Sequence, residues 1–142
     1  MKIRTVKEED YQELMQLFNL FVGEDRYSRY DADSFNKVIR NPQNTIFIAE
    51  DERQIIGFAT MSVRDVIRFL RPIAELDEIF IKETHRRQGI AKELMEEVEK
   101  KARDIPCSRI FIGSFYERKE GHKLYEALGY TNKGYQYVKE LK

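Results

Sequence analysis

The succession of β-rich runs and amphipathic helical runs predicts an α/β (α+β) protein built on a mixed, mostly antiparallel central sheet with helices on both faces. Three observations carry that prediction. Between residues 45 and 81 three β-rich runs follow one another with short breaks, which reads as a hairpin series. Helical periodicity occurs on both sides of that series. The run at 73–81 and the next β-rich run at 108–115 are separated by a full amphipathic helix, so their connection requires a right-handed parallel crossover.

Each element follows from its own pattern. Lys2 to Thr5 reads as a short strand. Residues 7–22 place Tyr11, Leu14, Leu17, Phe18 and Phe21 at helical spacing. The stretch from Gly23 to Asp33 is polar and turn-rich and breaks that pattern. A second helix runs from about Asp33 to Arg40 and is closed by Asn41-Pro42. Thr45–Glu50 and Gln54–Val63 flank the charged turn Asp51-Glu52-Arg53 and form a hairpin. A loop with Arg64, Arg68, Arg71 and Pro72 leads to the strand Ile73–Ile81. In the helix Gly89–Arg103, Ile90, Leu94, Met95 and Val98 share one stripe. Lys92, Glu93, Glu96, Glu97 and Lys100 cover the other side. Ser108–Phe115 is a further strand, Arg118–Leu128 a helix and Gly134–Leu141 a closing strand.

The chain has 142 residues, the length of one domain, and a single domain over 1–142 is expected. Lys+Arg and Asp+Glu both number 25, and this balance argues against a dedicated nucleic-acid binder, which carries a basic excess. With 12% aromatic residues and no net charge, the composition is the opposite of a disordered chain. No apolar run approaches the roughly 18 residues that span a bilayer. The start Met1-Lys2-Ile3-Arg4 lacks a secretory apolar stretch, and the one cysteine, Cys107, cannot form an internal disulfide. A cytoplasmic location is expected, with neither membrane nor nucleic acid as partner. His85 and His122 are far apart without a ligand pattern, so no metal is expected.

The most informative segment is Arg86-Arg87-Gln88-Gly89-Ile90-Ala91, between a strand and a helix. Small residues at 89 and 91 let the backbone approach a ligand closely. The following helix presents free N–H groups and the positive end of its dipole at the same place. Two arginines stand alongside, which suits a pyrophosphate, although a plain strand-to-helix turn uses the same glycine.

Arg86-x-x-Gly89-x-Ala91 resembles the R/Q-x-x-G-x-G/A signature of the GNAT superfamily of N-acetyltransferases. The segment LDEIFIKETHRRQGIA is similar to that family's fourth strand running into its coenzyme-A loop, and Leu124-Tyr125-Glu126-Ala127-Leu128-Gly129-Tyr130 to its L-Y-x-x-x-G-F/Y element. The order of the other elements extends the resemblance over essentially the whole chain. It implies the GNAT (acyl-CoA N-acyltransferase) fold. It also implies acetyl transfer from the cosubstrate acetyl-CoA to a primary amine of a small molecule or peptide, by direct attack in a ternary complex. Three positions depart from the pattern: Glu83 where the family often has Pro, Ala91 where it often has Gly, and Arg118 where an Asn commonly touches the coenzyme.

Carried over residue by residue, the resemblance implies that backbone groups of Ile79 and Ile81, with Phe80 between them, pair with the pantetheine arm. The backbone of Arg87, Gln88, Gly89, Ile90, Ala91 and Lys92, beside Arg86, would cradle the pyrophosphate, and Arg118 would reach a phosphate. Tyr125 would protonate the departing thiolate. Its position on one helical face with Gly121, Leu124 and Leu128 also suits a core tyrosine.

Glu75, Asp77 and Glu78 crowd a strand that should be at least half buried, for which a binding cleft is the economical explanation and salt bridges with Arg64, Arg68 or Arg71 the alternative. Strict alternation places Glu75 and Asp77 with Ile79 and Ile81, and Glu78 with Leu76 and Phe80; a β-bulge would swap that parity. The family resemblance implies Glu75 as the base, acting through water, with Asp77 or Glu78 attracting the cation. Tyr27 and Tyr30, in the loop between the first two helices, either wall the acceptor or lie on a solvated surface. A non-catalytic acyl-CoA-binding sensor or partner module is the competing function. The closing strand, with Tyr135, Tyr137 and Val138, makes a homodimer one option.

Overall fold

The computed structural model describes residues 1–113 and 119–141. The chain divides into two compact units, Met1–Phe111 and Ile112–Lys142. The first unit begins with β1 (Lys2–Thr5), α1 (Tyr11–Val22) and α2 (Ala32–Arg40). It continues with β2 (Asn44–Asp51), β3 (Gln54–Asp65), β4 (Pro72–Ile81) and α3 (Ile90–Asp104). The strand β5 (Ile110–Ile112) closes it at the boundary. The strands form one sheet in the order β1-β2-β3-β4-β5. The pairings from β1 to β4 are antiparallel, and the α3 crossover between the neighbours β4 and β5 makes the sheet mixed.

The first helix starts later than periodicity predicts. Residues Glu8–Asp10 form a 3₁₀ turn, because the Asp10 carboxylate is turned back to accept the Lys7 N–H at 2.7 Å and both Arg4 guanidinium nitrogens at 2.8 Å. α1 ends at Gly23, whose φ of +79° lets its N–H return to the Asn19 carbonyl at 2.9 Å. α2 starts earlier than expected, since Asp31, not Asp33, caps it by accepting the Ser34 N–H at 2.7 Å. The hairpin turn places Glu52 and Arg53 both at positive φ, the geometry that matches strand twist in a two-residue connection.

Both faces of the sheet are covered. On one, Ile46, Ile48 and Phe58 pack with Leu14, Leu17 and Phe35 of α1 and α2. The residues between them, Phe47, Ala49 and Ala59, are buried as well, on the face where α3 lies against β2, β3 and β4. α3 buries Ile90, Leu94, Met95 and Val98 as its stripe predicts, with Ala102 added. Gly57 permits the close approach of β3 and β4, since a Cβ there would stand 2.9 Å from the Phe80 carbonyl.

In the second unit α4 (Lys119–Ala127) ends at Gly129, with φ +91° and the Tyr130 N–H donating to the Tyr125 carbonyl at 2.9 Å. Of the expected strand 108–115, Ile110–Ile112 is formed, and 114–115 lie outside the described residues, as does Arg118. The expected closing strand Gly134–Leu141 is not formed: this segment carries neither helix nor strand, and Tyr135, Tyr137, Val138 and Leu141 are exposed. A β-rich composition gives a strand only where a neighbour supplies ladder bonds, and here it does not produce one. No helix of the described residues is long and apolar enough to cross a membrane.

Candidate active site

The site begins with an irregularity in β4. This strand pairs with β3 in step from Gly57↔Ile81 to Thr60↔Glu78, and then slips so that Met61 faces Leu76. Asp77 is the extra residue, a β-bulge, and the parity is reset as a result. Phe58, Thr60 and Ser62 alternate along β3 and share one face. Their partners Phe80, Glu78 and Glu75 therefore share it too, while Leu76, Ile79 and Ile81 take the other. The Asp77 carboxyl is close enough to the Ser62 side chain and to Glu75 for both to act on it. All three acids meet on the α1–α2 face, where strict alternation would have separated Glu78 from the other two.

Their electrostatics differ. Burial pushes the Asp77 carboxyl up to about 6, opposed by the Ser62 side chain and reinforced by the charges of Glu78 and Glu75. Its carboxyl is partly desolvated in this setting, although the residue as a whole is exposed. Glu75 stands 3.8 Å from the Arg64 guanidinium, one of the three arginines named as its alternative partners. Thr60 donates its hydroxyl to the Glu78 carboxylate and accepts the Glu78 N–H at 2.9 Å. Among the described residues, neither Asp77 nor Glu78 has an ion-pair partner.

These two carboxylates bound a cavity of about 400 Å³, within the range of small-molecule sites. α1 contributes Leu14, Met15 and Phe18, and α2 contributes Phe35 and Val38. The sheet supplies Asn44, Ile46, Thr60 and Met61. Tyr27 and Tyr30 line it as well, so the loop between the first two helices is a wall of the cavity. Asn19 organises that loop by accepting the N–H groups of Arg26 and Tyr27 at 2.9 and 2.7 Å. The Tyr27 ring then lies 5.3 Å from Phe18, which itself stacks on Phe58 at 4.3 Å. Phe58 meets Phe80 at 6.1 Å, so an aromatic ladder joins α1 to the acid-bearing strand.

At the far end of β4 the backbone turns through a 3₁₀ turn, Glu83–His85, into α3. Arg87 has φ +63° and Gly89, the N-cap, φ +80°. The cap has no side-chain hydrogen bond, so no side chain of the cap occupies the first-turn N–H groups of this 15-residue helix. Arg87, Gln88 and Gly89 are exposed around it. Arg86 is turned back instead: its Nε donates to the Ile81 carbonyl at 2.9 Å and its guanidinium lies 5.4 Å over the Phe80 ring. It braces the loop on the strand. The Arg109 carbonyl accepts the Ala74 N–H at 3.0 Å, near the start of β4. In a parallel pair the three described residues of β5 therefore end before they come level with Ile79, and the β4 edge at Ile79–Ile81 has no described strand beside it.

The sequence profile of the acetyltransferase (GNAT) family matches residues 9–130. This chain belongs to that family. It is 28% identical over 105 residues to N-acetyltransferase 8 of Homo sapiens, covering 73% of this chain and 46% of that protein, so it spans less than half the length of this relative. An aminoglycoside acetyltransferase from an uncultured soil metagenomic sample superposes with a TM-score of 0.88 at 20% identity, over 99% of this chain and 96% of the other. AAC(6')-Iy, solved with a CoA bisubstrate analogue, superposes at 0.84 with 22% identity, over 99% and 97%.

In this chain the L-Y-x-x-x-G-Y element forms the end of α4 and its turn. Tyr125 is half buried, with Gly121 one turn before it close against its ring and Tyr130 at 6.2 Å. Gly121, Leu124, Tyr125 and Leu128 are all half buried, as one helical face should be. The cavity also contains residues that the sequence did not single out. Met15, Phe35, Val38, Ile46 and Met61 gave only core periodicity, and Thr60 lay inside an apolar strand with no signal of its own.

Proposed function

We propose that this chain transfers the acetyl group of acetyl-CoA to a primary amine while both substrates are bound. The observation that carries this reading is β4 itself. Its middle holds two carboxylates in an aromatic-walled cavity, and its C-terminal end runs into a helix N-terminus free of side-chain capping. Asp77 stands four positions before Ile81, about 13 Å along a strand, so an amine and an anionic coenzyme would be recognised by one continuous element. The family profile runs through both compact units, which supports treating residues 1–142 as parts of one acetyltransferase domain.

The residues suit the coenzyme. N–H groups of Gln88 to Lys92 and the positive end of α3 would hold the pyrophosphate, with Arg87 beside it. Backbone groups of Ile79 and Ile81 would pair with the pantetheine arm. Acetyl-CoA, when bound, supplies the acyl group as an activated thioester.

The protein's own groups manage the protons. An amine arrives as an ammonium and must lose a proton before it becomes a nucleophile. Asp77, with its carboxyl raised to about 6, accepts that proton better than an ordinary surface carboxylate, directly or through water. This assigns to Asp77 the role expected of Glu75, which Arg64 holds as an ion pair. Glu78, fixed by Thr60, contributes the second negative charge that attracts the cation. As the N–C bond forms and the C–S bond breaks, the nitrogen's second proton leaves to solvent. Tyr125 gives its phenolic proton to the sulfur and regains one from water. Incubation of acetyl-CoA with a panel of amines, followed by mass detection of N-acetylated product, tests the reading. The same panel with Tyr125→Phe should yield at least tenfold less product per unit time.

A further inference from the structure

The acceptor cavity is far more apolar than a site for a polyhydroxylated amine should be, and we infer that this acetyltransferase takes a primary amine carried on a short aliphatic or aromatic body. The inference rests on the reading above and specifies its acceptor. Nine of the thirteen residues around the cavity are aliphatic, thioether or aromatic. The uncharged polar groups around it are largely engaged. Asn44 donates its side-chain N–H to the Val38 carbonyl at 3.1 Å, and Thr60 is committed to Glu78 through both its proton and its oxygen. The Tyr30 hydroxyl donates to the Ser34 carbonyl at 3.4 Å.

What the walls offer a ligand is therefore a pair of carboxylates without a cationic partner among the described residues, and otherwise mainly aliphatic and aromatic surface. An ammonium meets the acids, and its apolar body is covered by Phe18, Phe35, Met15 and Ile46. A sugar-like acceptor would lose water from several hydroxyls and find no partners for them, which is the strongest form of discrimination such a site has. The volume of about 400 Å³ suits a body of a few carbons up to one aromatic ring. The same chemistry is presented by a free arylalkylamine and by the N-terminal residue of a peptide that begins with a large apolar side chain.

The test is a kcat/KM series with acetyl-CoA saturating: ethylamine, propylamine, butylamine, 2-phenylethylamine, spermidine, kanamycin, and short peptides beginning with Phe or Gly. Values should rise about fourfold per added methylene, the worth of one buried CH₂. 2-Phenylethylamine should exceed spermidine and kanamycin by at least tenfold. The Phe-peptide outrunning 2-phenylethylamine identifies a peptide N-terminus as the source, and the reverse order identifies a free amine. Val38→Glu places a charge at the cavity wall on a partly exposed position and should flatten the series. A flat or falling series with the wild-type protein, or a preference for spermidine or kanamycin, overturns the inference and leaves the transferase reading standing. Absence of transfer to every amine removes both.

Discussion

Thr60 on β3 and Glu78 on β4 face each other across the bulge that Asp77 makes, the hydroxyl oxygen of Thr60 accepting the Glu78 N–H at 2.9 Å while its proton goes to the Glu78 carboxylate. This pair fixes where the strand resumes its register. It therefore decides that Glu78 and Glu75 look to the same side and that Asp77 is displayed between them. A one-residue slip without a bulge would turn Glu78 into the α3 face, where a carboxylate has no solvent and no partner to stabilise it.

The raised carboxyl of Asp77 makes two opposite predictions for one substitution. Folding raises this group from an ordinary value near 4 to about 6, so the folded state binds the proton more tightly than the unfolded state. Its ionisation thus costs stability progressively between about pH 4 and 6 and fully above that. Asp77→Asn should stabilise the protein at pH 7.5 by about 1 kcal/mol, a figure reduced for solvent screening at an accessible group. It should also cut kcat/KM by at least a hundredfold, a loss of proton acceptance. Thermal melts and initial rates on the same preparations check both.

Gly89 separates strain from charge. Its φ of +80° costs an L-residue about 1–2 kcal/mol, yet a Cβ placed there meets no atom within 4 Å. Gly89→Ala should lower stability by about 1 kcal/mol and leave acetyl-CoA binding within a few-fold of wild type. Gly89→Glu should abolish binding in calorimetry, because a carboxylate would stand against the pyrophosphate. A normal isotherm for the glutamate variant would remove the phosphate role from the α3 N-terminus.

Tyr125→Phe removes only the phenolic oxygen. Turnover should fall at least tenfold with acetyl-CoA affinity nearly unchanged, a split between kcat and binding that loss of packing alone would not produce. Equal turnover would return Tyr125 to the role of a half-buried packing residue.

The acid limit of stability belongs to Asp10. Burial raises its carboxyl, but the Arg4 hydrogen bonds and the Lys7 N–H outweigh that and hold it below the usual carboxylate value. A depressed folded-state value means stability that is present above about pH 4 and is lost as pH falls through that lower value. Arg4→Ala leaves a 7% exposed carboxylate without its cation and should cost about 3 kcal/mol at pH 7, with less loss at pH 3. Urea melts of both proteins at the two pH values measure this.

How much of this was legible in the sequence differs by element. The α3 stripe was visible because Ile90, Leu94, Met95 and Val98 repeat at one spacing, and the Gly89 loop because backbone chemistry there demands a small residue. Local hydrogen bonds moved the helix starts: Asp10 turns back to Lys7 and Arg4, and Asp31 reaches Ser34, and neither bond leaves a periodic trace. The bulge was anticipated as an option but not placed, since only the pairing with β3 shows that Thr60 meets Glu78 and Met61 meets Leu76. The cavity was hidden for a similar reason. Phe18 and Phe35 read as core on their own helices, and it takes the Asn19-anchored loop to reveal that one side of that core is open. The run 134–141 misled because Tyr135, Tyr137 and Val138 give it a β-rich composition, whereas a strand also needs a neighbour.

The most direct test of the account is the dependence of CoA thiol release from acetyl-CoA on added 2-phenylethylamine between pH 5 and 9, for the wild type and Asp77→Asn. The account predicts release stoichiometric with N-acetylated amine, an acid limb in kcat/KM near pH 6, and loss of that limb in the variant. Thiol release that ignores the amine, or an acid limb unchanged by Asp77→Asn, would contradict it.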